Sequence, residues 1–238
     1  MHISTFDLKL GQSKTNLCEF GTVFGTNKCP FIDFDPTGSL ERDCNSYTPL
    51  YDLLFFSLKY RKINFGEIGI FKNASMKMWR NYFPHANLYG WDCYPKDAEE
   101  DRYKVLDFVH EAKKENLSNT TYDYMNVRDE ESIKNALNKV GCKFDILMDD
   151  SDHEFWSQIR VIRLSPMHIN PGGLLIIEDI NHTITPQYSL DSYVNQIKEY
   201  GHDKFYGSIV KINTHHDMQT DTYPNNCILV LTRNHFMG

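Results

Sequence analysis

The chain has 238 residues, 41% of them hydrophobic, and a formal net charge of −7 at pH 7. This length fits one large α/β domain, or one domain with an appended arm. The negative charge argues against nucleic-acid binding, which needs basic surface to neutralise phosphates. Because there is no apolar run of about 20 residues and no signal-peptide pattern at the N-terminus, we expect a cytoplasmic protein without a membrane partner.

The first part of the chain differs in composition from the rest. Residues 1–45 are rich in Gly, Pro, Asn, Asp and Thr, which predicts an irregular N-terminal arm. Residues 46–238 are expected to form the single domain. The sequence leaves open whether the arm closes over a bound cofactor or makes contacts in a homo-oligomer.

Strand and helix patterns alternate from about residue 63 to residue 200, after a first helix. Apolar spacing predicts helices over 47–60, 75–82, 103–115, 130–140, 155–164 and 190–200. Strands are expected over 63–70, 87–91, 121–126, 145–148, 174–177, 205–212 and 227–232. The last two strands follow one another without a helix. We therefore predict an α/β fold with a Rossmann-like, doubly wound, mainly parallel sheet and a C-terminal antiparallel strand pair.

Two predicted strands run directly into pairs of acids. Asp149 and Asp150 end one strand, and Glu178 and Asp179 end the next. The carboxyl ends of parallel strands meet at one edge, where open α/β sheets bind ligands. Because clustered acids repel one another, a divalent cation is the simplest partner, and oxygen ligands suit Mg²⁺ or Mn²⁺, with Fe(II) also compatible. The sequence does not decide whether Asp149 or Asp150 is the ligand.

Histidines lie close to both acidic pairs. His153 follows the first pair, and the unperturbed pKa of histidine, about 6.5, suits a general base at neutral pH. His182 follows Asp179 and is a rival base or an extra metal ligand. Together with Asp149, these two histidines are the candidate catalytic residues.

A glycine and small residues separate the strand over 63–70 from the next helix. Gly69 allows the backbone to approach a ligand closely, and Ser75 is small where the helix begins. Asp92 follows the next strand, in the position where an acid accepts hydrogen bonds from ribose hydroxyls. An NAD-dependent dehydrogenase or epimerase is disfavoured, because the chain lacks the full glycine fingerprint.

Short segments in a specific order carry a family resemblance. They are Phe-Gly-Thr-Asn-Lys at 24–28, Ser-Tyr-Thr-Pro-Leu-Tyr at 46–51, Glu-Ile-Gly-Ile-Phe at 67–71, Ser-Met-Lys-Met-Trp-Arg at 75–80, Leu-Tyr-Gly-Trp-Asp at 88–92, Asp-Asp with His153 at 149–153, and Pro-Gly-Gly through Glu-Asp at 171–179. In this order the chain resembles the class I S-adenosylmethionine-dependent methyltransferases. More narrowly, it resembles the metal-dependent sugar O-methyltransferases of macrolide tailoring and bacterial glycan modification.

The resemblance implies an enzyme that moves a methyl group from S-adenosylmethionine to a hydroxyl of a small sugar-containing substrate. It implies that Glu67 and Gly69 line the methionine part of the cofactor and that Asp92 binds the ribose. In related metal-dependent methyltransferases, the metal ligands come from the end of one strand and two consecutive residues ending the next. The full implied set of cofactor-binding residues is Glu67, Gly69, Ser75, Asp92, Asn126, Asp129, Asp149, Tyr47, Thr26 and Lys28.

The chain departs from the family pattern at three asparagines. Asn73 stands where glycine is usual, Asn126 where aspartate is usual, and Asn27 where an acid is common. Asparagine tolerates a left-handed backbone, so Asn73 is expected to replace glycine there. Two alternatives stay open: a catechol-type O-methyltransferase with an aromatic acceptor, and a non-catalytic cofactor-binding module.

Overall fold

The computed structural model describes residues 3–9, 15–29, 47–98, 100–180, 190–201, 204–213 and 226–234. Within these residues, eight strands form a single sheet. The strands are β1 (Ile3–Lys9), β2 (Asn64–Ile68), β3 (Asn87–Asp92), β4 (Thr120–Tyr124), β5 (Phe144–Asp149), β6 (Ile169–Ile177), β7 (Phe205–Asn213) and β8 (Asn226–Arg233). The helices are α1 (Asn16–Phe24), α2 (Thr48–Phe55), α3 (Ala74–Tyr82), α4 (Phe108–Glu115), α5 (Glu130–Val140), α6 (Phe155–Leu164) and α7 (Leu190–Gly201).

The sheet order is β1-β7-β8-β6-β5-β2-β3-β4. All neighbouring strands are parallel except β8, which is antiparallel to both β6 and β7. The predicted mainly parallel sheet with a C-terminal antiparallel pair is therefore confirmed. The chain winds outward from β2 to β4 and then returns to place β5 on the other side of β2. A topological switch point consequently lies between β2 and β5, where sheets of this kind bind ligands.

Hydrophobic residues pack on both faces of the sheet. Leu147 and Met148 are adjacent in β5, so their side chains point to opposite faces, and they belong to different buried clusters. The cluster of Met148 includes Tyr51 of α2 and Trp79 of α3, whereas the cluster of Leu147 includes Ile159 of α6. Helices thus cover both faces in a three-layer arrangement.

The prediction of an irregular N-terminal arm is wrong for its described parts. Strand β1 pairs in parallel with β7 at the sheet edge, and α1 contacts α2 and α3. Thr15 caps α1 by accepting from the backbone N–H of Cys18, and Gly25 ends that helix in the left-handed conformation. Composition missed β1 because its pairing partner lies about 200 residues further along the chain. The division at residue 45 remains a prediction.

Two other elements differ from the expected boundaries. The helix expected over 103–115 begins only at Phe108, because Asp107 caps it by accepting from the backbone N–H of His110. The strand expected over 174–177 begins earlier, at Ile169, so the Pro-Gly-Gly segment at 171–173 lies inside β6, where pairing with β5 shifts register. Among the helices that the structure describes, each is too short or too polar to cross a membrane.

Candidate active site

Strand register brings four predicted site residues into one row. Ile68 of β2 pairs with Trp91 of β3 and with Asp149 of β5, which in turn pairs with Ile177 of β6. One position further along, β3 ends in Asp92, and Gly69, Asp150 and Glu178 directly follow β2, β5 and β6. These four residues therefore lie side by side at the carboxyl edge of the sheet. Backbone hydrogen bonds of 2.8 Å from Asp150 N to Ile68 O and 2.9 Å from Glu178 N to Asp149 O hold this row.

Gly69 occupies the switch point between β2 and β5. Its φ of +92° belongs to a region that residues with side chains rarely adopt. A Cβ at this position would lie 2.0 Å from the backbone oxygen of Asp150. Glycine is therefore required for the backbone after β2 to lie directly against the start of the acidic segment.

Asp150, His153 and Asp179 converge on one point. Each offers one ligand atom, and these atoms all lie within 4.8 Å of one another. The Nε2 atom of His153 is 3.7 Å from Oδ2 of Asp179 and 4.0 Å from Oδ1 of Asp150. His153 and Asp179 both have positive φ, of 56° and 50°. Such strained backbone costs about 1–3 kcal/mol per residue and concentrates at functional sites.

A buried lysine lies behind these acids. The Nζ atom of Lys28 contacts Asp150 Oδ2 directly and lies 2.6 Å from Glu178 Oε2 and 3.4 Å from Glu67 Oε1. Burial alone lowers the pKa of Lys28, but the charges of Asp150, Glu178 and Glu67 raise that pKa well above its usual value. The ammonium therefore stays charged inside the acid cluster.

Two tyrosines, at the start of α2 and one helical turn into it, hold the second acidic pair. The Tyr47 hydroxyl donates to Asp179 Oδ1, and the Tyr51 hydroxyl donates to Glu178 Oε1 over 2.7 Å. Residues four apart share one helix face, so both hydroxyls reach consecutive acids. Burial, followed by the nearby carboxylates, raises the pKa of both tyrosines, which keeps them protonated donors. Both oxygens of Glu178 are thus held, one by Tyr51 and one by Lys28.

Glu67 is fully buried beneath the cavity rather than on its wall. Its Oε2 accepts from Ser75 Oγ at 2.9 Å and from the Trp79 indole N–H at 3.1 Å. Burial raises the pKa of Glu67 to about 7, although the charge of Lys28 opposes this rise. Trp79 is a contact that the sequence did not reveal, because its helical spacing reads equally well as core packing.

Asp149 lies apart from the three convergent ligand atoms. Its Oδ1 accepts from the Ser151 hydroxyl at 2.6 Å, and its buried Oδ2 has no hydrogen-bond partner. Burial raises the pKa of Asp149 to about 7. The geometry consequently presents Asp150, not Asp149, to His153 and Asp179, a choice that the sequence left open.

A cavity of about 770 Å³ opens beside this row. Its walls come from the segment after α1, including Thr26 and Lys28, and from the loops after β2, β3, β4 and β5. This volume lies within the range of roughly 300–1,000 Å³ that is typical of small-molecule sites. The cavity therefore has the size of a small-molecule binding site.

The predicted cofactor residues occupy different places around this cavity. Asp92 lines it, and its two oxygens accept from the backbone N–H groups of Phe71 and Cys93, each at 2.8 Å. Asn126 also lines it, whereas Asp129 is exposed and caps α5 by accepting from Glu131 N. His182 lies outside the described residues. The loop after β2 carries Asn73 with a φ of 66°, so this asparagine does adopt the left-handed backbone expected of it.

Comparison with known proteins identifies relatives in one functional group, although no protein-family model matches the chain. The 8-demethyl-8-(2-methoxy-alpha-L-rhamnosyl)-tetracenomycin-C 3'-O-methyltransferase of Streptomyces olivaceus is 28% identical over 150 residues, which cover 60% of this chain and 34% of that enzyme. Mycinamicin VI 2''-O-methyltransferase of Micromonospora griseorubida is 26% identical over 180 residues, 71% of this chain and 37% of the relative. The chain spans about a third of the length of these curated relatives.

A solved structure shares the fold. MycE methyltransferase from the mycinamycin biosynthetic pathway, in complex with Mg, SAH and mycinamycin VI, aligns with a TM-score of 0.61 at 20% identity, over 96% of this chain and 57% of that one. The chain therefore has a Rossmann-like methyltransferase fold. The resemblance seen in the motifs is confirmed, because the curated relatives are sugar O-methyltransferases.

Proposed function

We propose that this chain is a divalent-metal-dependent O-methyltransferase that moves a methyl group from S-adenosylmethionine to a sugar hydroxyl. The observation that carries the proposal is the convergence of Asp150, His153 and Asp179 within 4.8 Å beside the cavity. The names of the curated relatives, which act on sugars attached to tetracenomycin and mycinamicin, support a glycosylated small molecule as the acceptor.

The side chains present fit a hard divalent cation. Asp150 and Asp179 would hold the ion through carboxylate oxygens, with Glu178 adjacent and His153 beside the ion as the base. Each of the two aspartates has one oxygen held by a buried donor, Lys28 or Tyr47. Such outer contacts orient metal ligands. When bound, the cation lowers the pKa of a coordinated hydroxyl and directs its oxygen.

His153 takes the proton in the proposed reaction. Its Nε2 faces the same point as the two aspartates, so it can accept the proton of a hydroxyl placed there. Asp179 Oδ2, 3.7 Å away, stabilises the imidazolium that forms. As the acceptor oxygen forms its bond to the methyl carbon, the bond from that carbon to sulfur breaks, and sulfur leaves as a neutral thioether.

The rest of the cavity positions the two reactants. Asp92 is held by two backbone donors and is suited to bind ribose hydroxyls. Gly69 lets the backbone approach the cofactor without a side chain between them. Fixing donor and acceptor in line can supply roughly 7–11 kcal/mol of the barrier lowering, so positioning is a large share of the proposed catalysis.

The proposal is tested by transfer of labelled methyl from S-adenosylmethionine to a panel of rhamnosides, nucleotide sugars and catechols. We expect label on sugars that depends on Mg²⁺ or Mn²⁺ and is abolished by EDTA. Asp150→Asn and His153→Gln should lower turnover at least about 100-fold, as is common for loss of a metal ligand or general base. Label on catechols alone would instead support the aromatic-acceptor alternative.

A matched variant separates the site from general damage. Asp123→Asn removes an acid that pairs with Lys139 on the surface and does not line the cavity. It should leave methyl transfer within about twofold of the wild type, because surface ion pairs contribute little. Equal losses in Asp123→Asn and Asp150→Asn would contradict the assignment of the site.

A further inference from the structure

Lys28 is placed where a lysine has no catalytic task in the proposed reaction. Its side chain is 2% exposed, and its ammonium pairs with Asp150, Glu178 and Glu67, which lie near the carboxyl ends of three neighbouring strands. Its backbone is fixed too. Lys28 N donates to Thr26 Oγ1 over 3.3 Å, and Lys28 O accepts from Thr48 N, the first residue of α2, over 3.0 Å. The position of the ammonium is therefore built into the fold.

In both Asp150 and Asp179, one carboxylate oxygen contacts a buried donor and the other lies near His153. Asp150 turns Oδ2 to Lys28, while its Oδ1 lies 4.0 Å from Nε2 of His153. Asp179 shows the same division, with Oδ1 accepting from Tyr47 and Oδ2 lying 3.7 Å from that nitrogen. Lys28 thus contacts Oδ2 of Asp150, while Oδ1 of the same carboxylate faces the point where the ligand atoms converge.

The charge of Lys28 offsets the charges of the acids that its ammonium contacts. Glu67, Asp150 and Glu178 meet at the ammonium, and Glu67 and Glu178 are fully buried. Removing one partner from a buried ion pair leaves an uncompensated charge and is strongly destabilising. Here a single cation serves three acids, so its loss would leave all three facing one another.

We propose that Lys28 is a positioning residue and the built-in counter-cation of this acid cluster, holding Asp150 and Glu178 together while no divalent ion is bound and tying them to Glu67. The inference rests on the proposed function only in taking Asp150 as a metal ligand. It has two consequences. The metal-free chain depends on the Lys28 charge, and a divalent cation takes over part of that task when the charge is removed.

The first test compares Lys28→Met with Lys59→Met in EDTA by thermal unfolding. Lys59 is a matched control, since it is also buried but packs over the Tyr82 ring, 4.9 Å from its centroid. We expect Lys28→Met to lower the melting temperature by about 10 °C, and Lys59→Met by much less. Adding Mn²⁺ should then raise the melting temperature of Lys28→Met by more degrees than that of the wild type. An equal or smaller rise would overturn the proposal.

The second test separates charge from packing and remains usable if Lys28→Met does not fold. Adding Glu178→Gln to Lys28→Met removes an anion together with the cation, so the double variant should melt higher than Lys28→Met alone in EDTA. A double variant no more stable than Lys28→Met would overturn the proposal. These readouts need no turnover. If Mn²⁺ left the wild type unchanged, the proposed metal site would fail, while the EDTA comparison would still decide the role of Lys28.

Discussion

Gly69→Ala tests whether the close approach at the switch point is a requirement of the fold. The new methyl carbon would start 2.0 Å from the Asp150 backbone oxygen and 2.8 Å from Ser151 Cα, whereas ordinary contact begins at 3.4 Å. Backbone atoms cannot rotate away as side chains do, so the loop after β5 must move. The φ of +92° adds strain of about 1–2 kcal/mol for a residue with a side chain.

The expected loss is about 2–5 kcal/mol in the free energy of unfolding, the sum of that strain and of overpacking, which typically costs about 1–3 kcal/mol. Gly141→Ala is the matched control, since its φ is +72° and no atom lies within 4 Å of the place its new methyl group would take. It should cost only about 1 kcal/mol. Urea unfolding of both variants measures the difference. Equal losses would refute the argument that Gly69 is required by contact with Asp150.

Two further predictions concern buried side chains of the site. Burial raises the pKa of Asp149 to about 7, so between about pH 4 and 7 the folded chain holds a proton that the unfolded chain has released. As the pH rises across that range, the free energy of unfolding should fall by up to about 4 kcal/mol. Asp149→Asn should remove this fall in urea titrations, and a variant with the same pH profile as the wild type would contradict the prediction. Tyr47→Phe removes the donor to Asp179 and should weaken Mn²⁺ binding about tenfold in calorimetry, whereas Tyr82→Phe, which loses a hydroxyl bonded to Asp52, should not.

Much of the fold follows from local patterns in the sequence. Helices α5 and α6 have the predicted bounds, Glu130–Val140 and Phe155–Leu164, because apolar residues recur at helical spacing in both. In α5, acids in the first turn and a lysine in the last turn agree with this spacing. Strand β1 could not be predicted in this way. An edge strand is defined by the partner it pairs with, and β7 is distant in the sequence.

Local patterns in the sequence predict the acids of the candidate site but not the residues that hold them in place. The meeting of Asp150 with Glu178 and Asp179 follows from parallel strands that end at one edge. The contacts of Lys28 with Asp150 and Glu178 could not be predicted from the sequence. These acids lie more than 100 residues further along the chain, and no local pattern connects them with Lys28. Tyr47 and Tyr51 have spacing that suits either core packing or a site, and only the structure shows their hydroxyls on the acids.

The central claim is that Asp150 and Asp179 hold a divalent cation beside the cofactor cavity. Anomalous diffraction from a crystal grown with Mn²⁺ and S-adenosylhomocysteine tests it most directly. We predict one Mn²⁺ peak at about 2.1–2.3 Å from a carboxylate oxygen of each aspartate, with the cofactor ribose at Asp92. A cofactor bound there with no ion between Asp150 and Asp179, or an ion held elsewhere, would contradict the account.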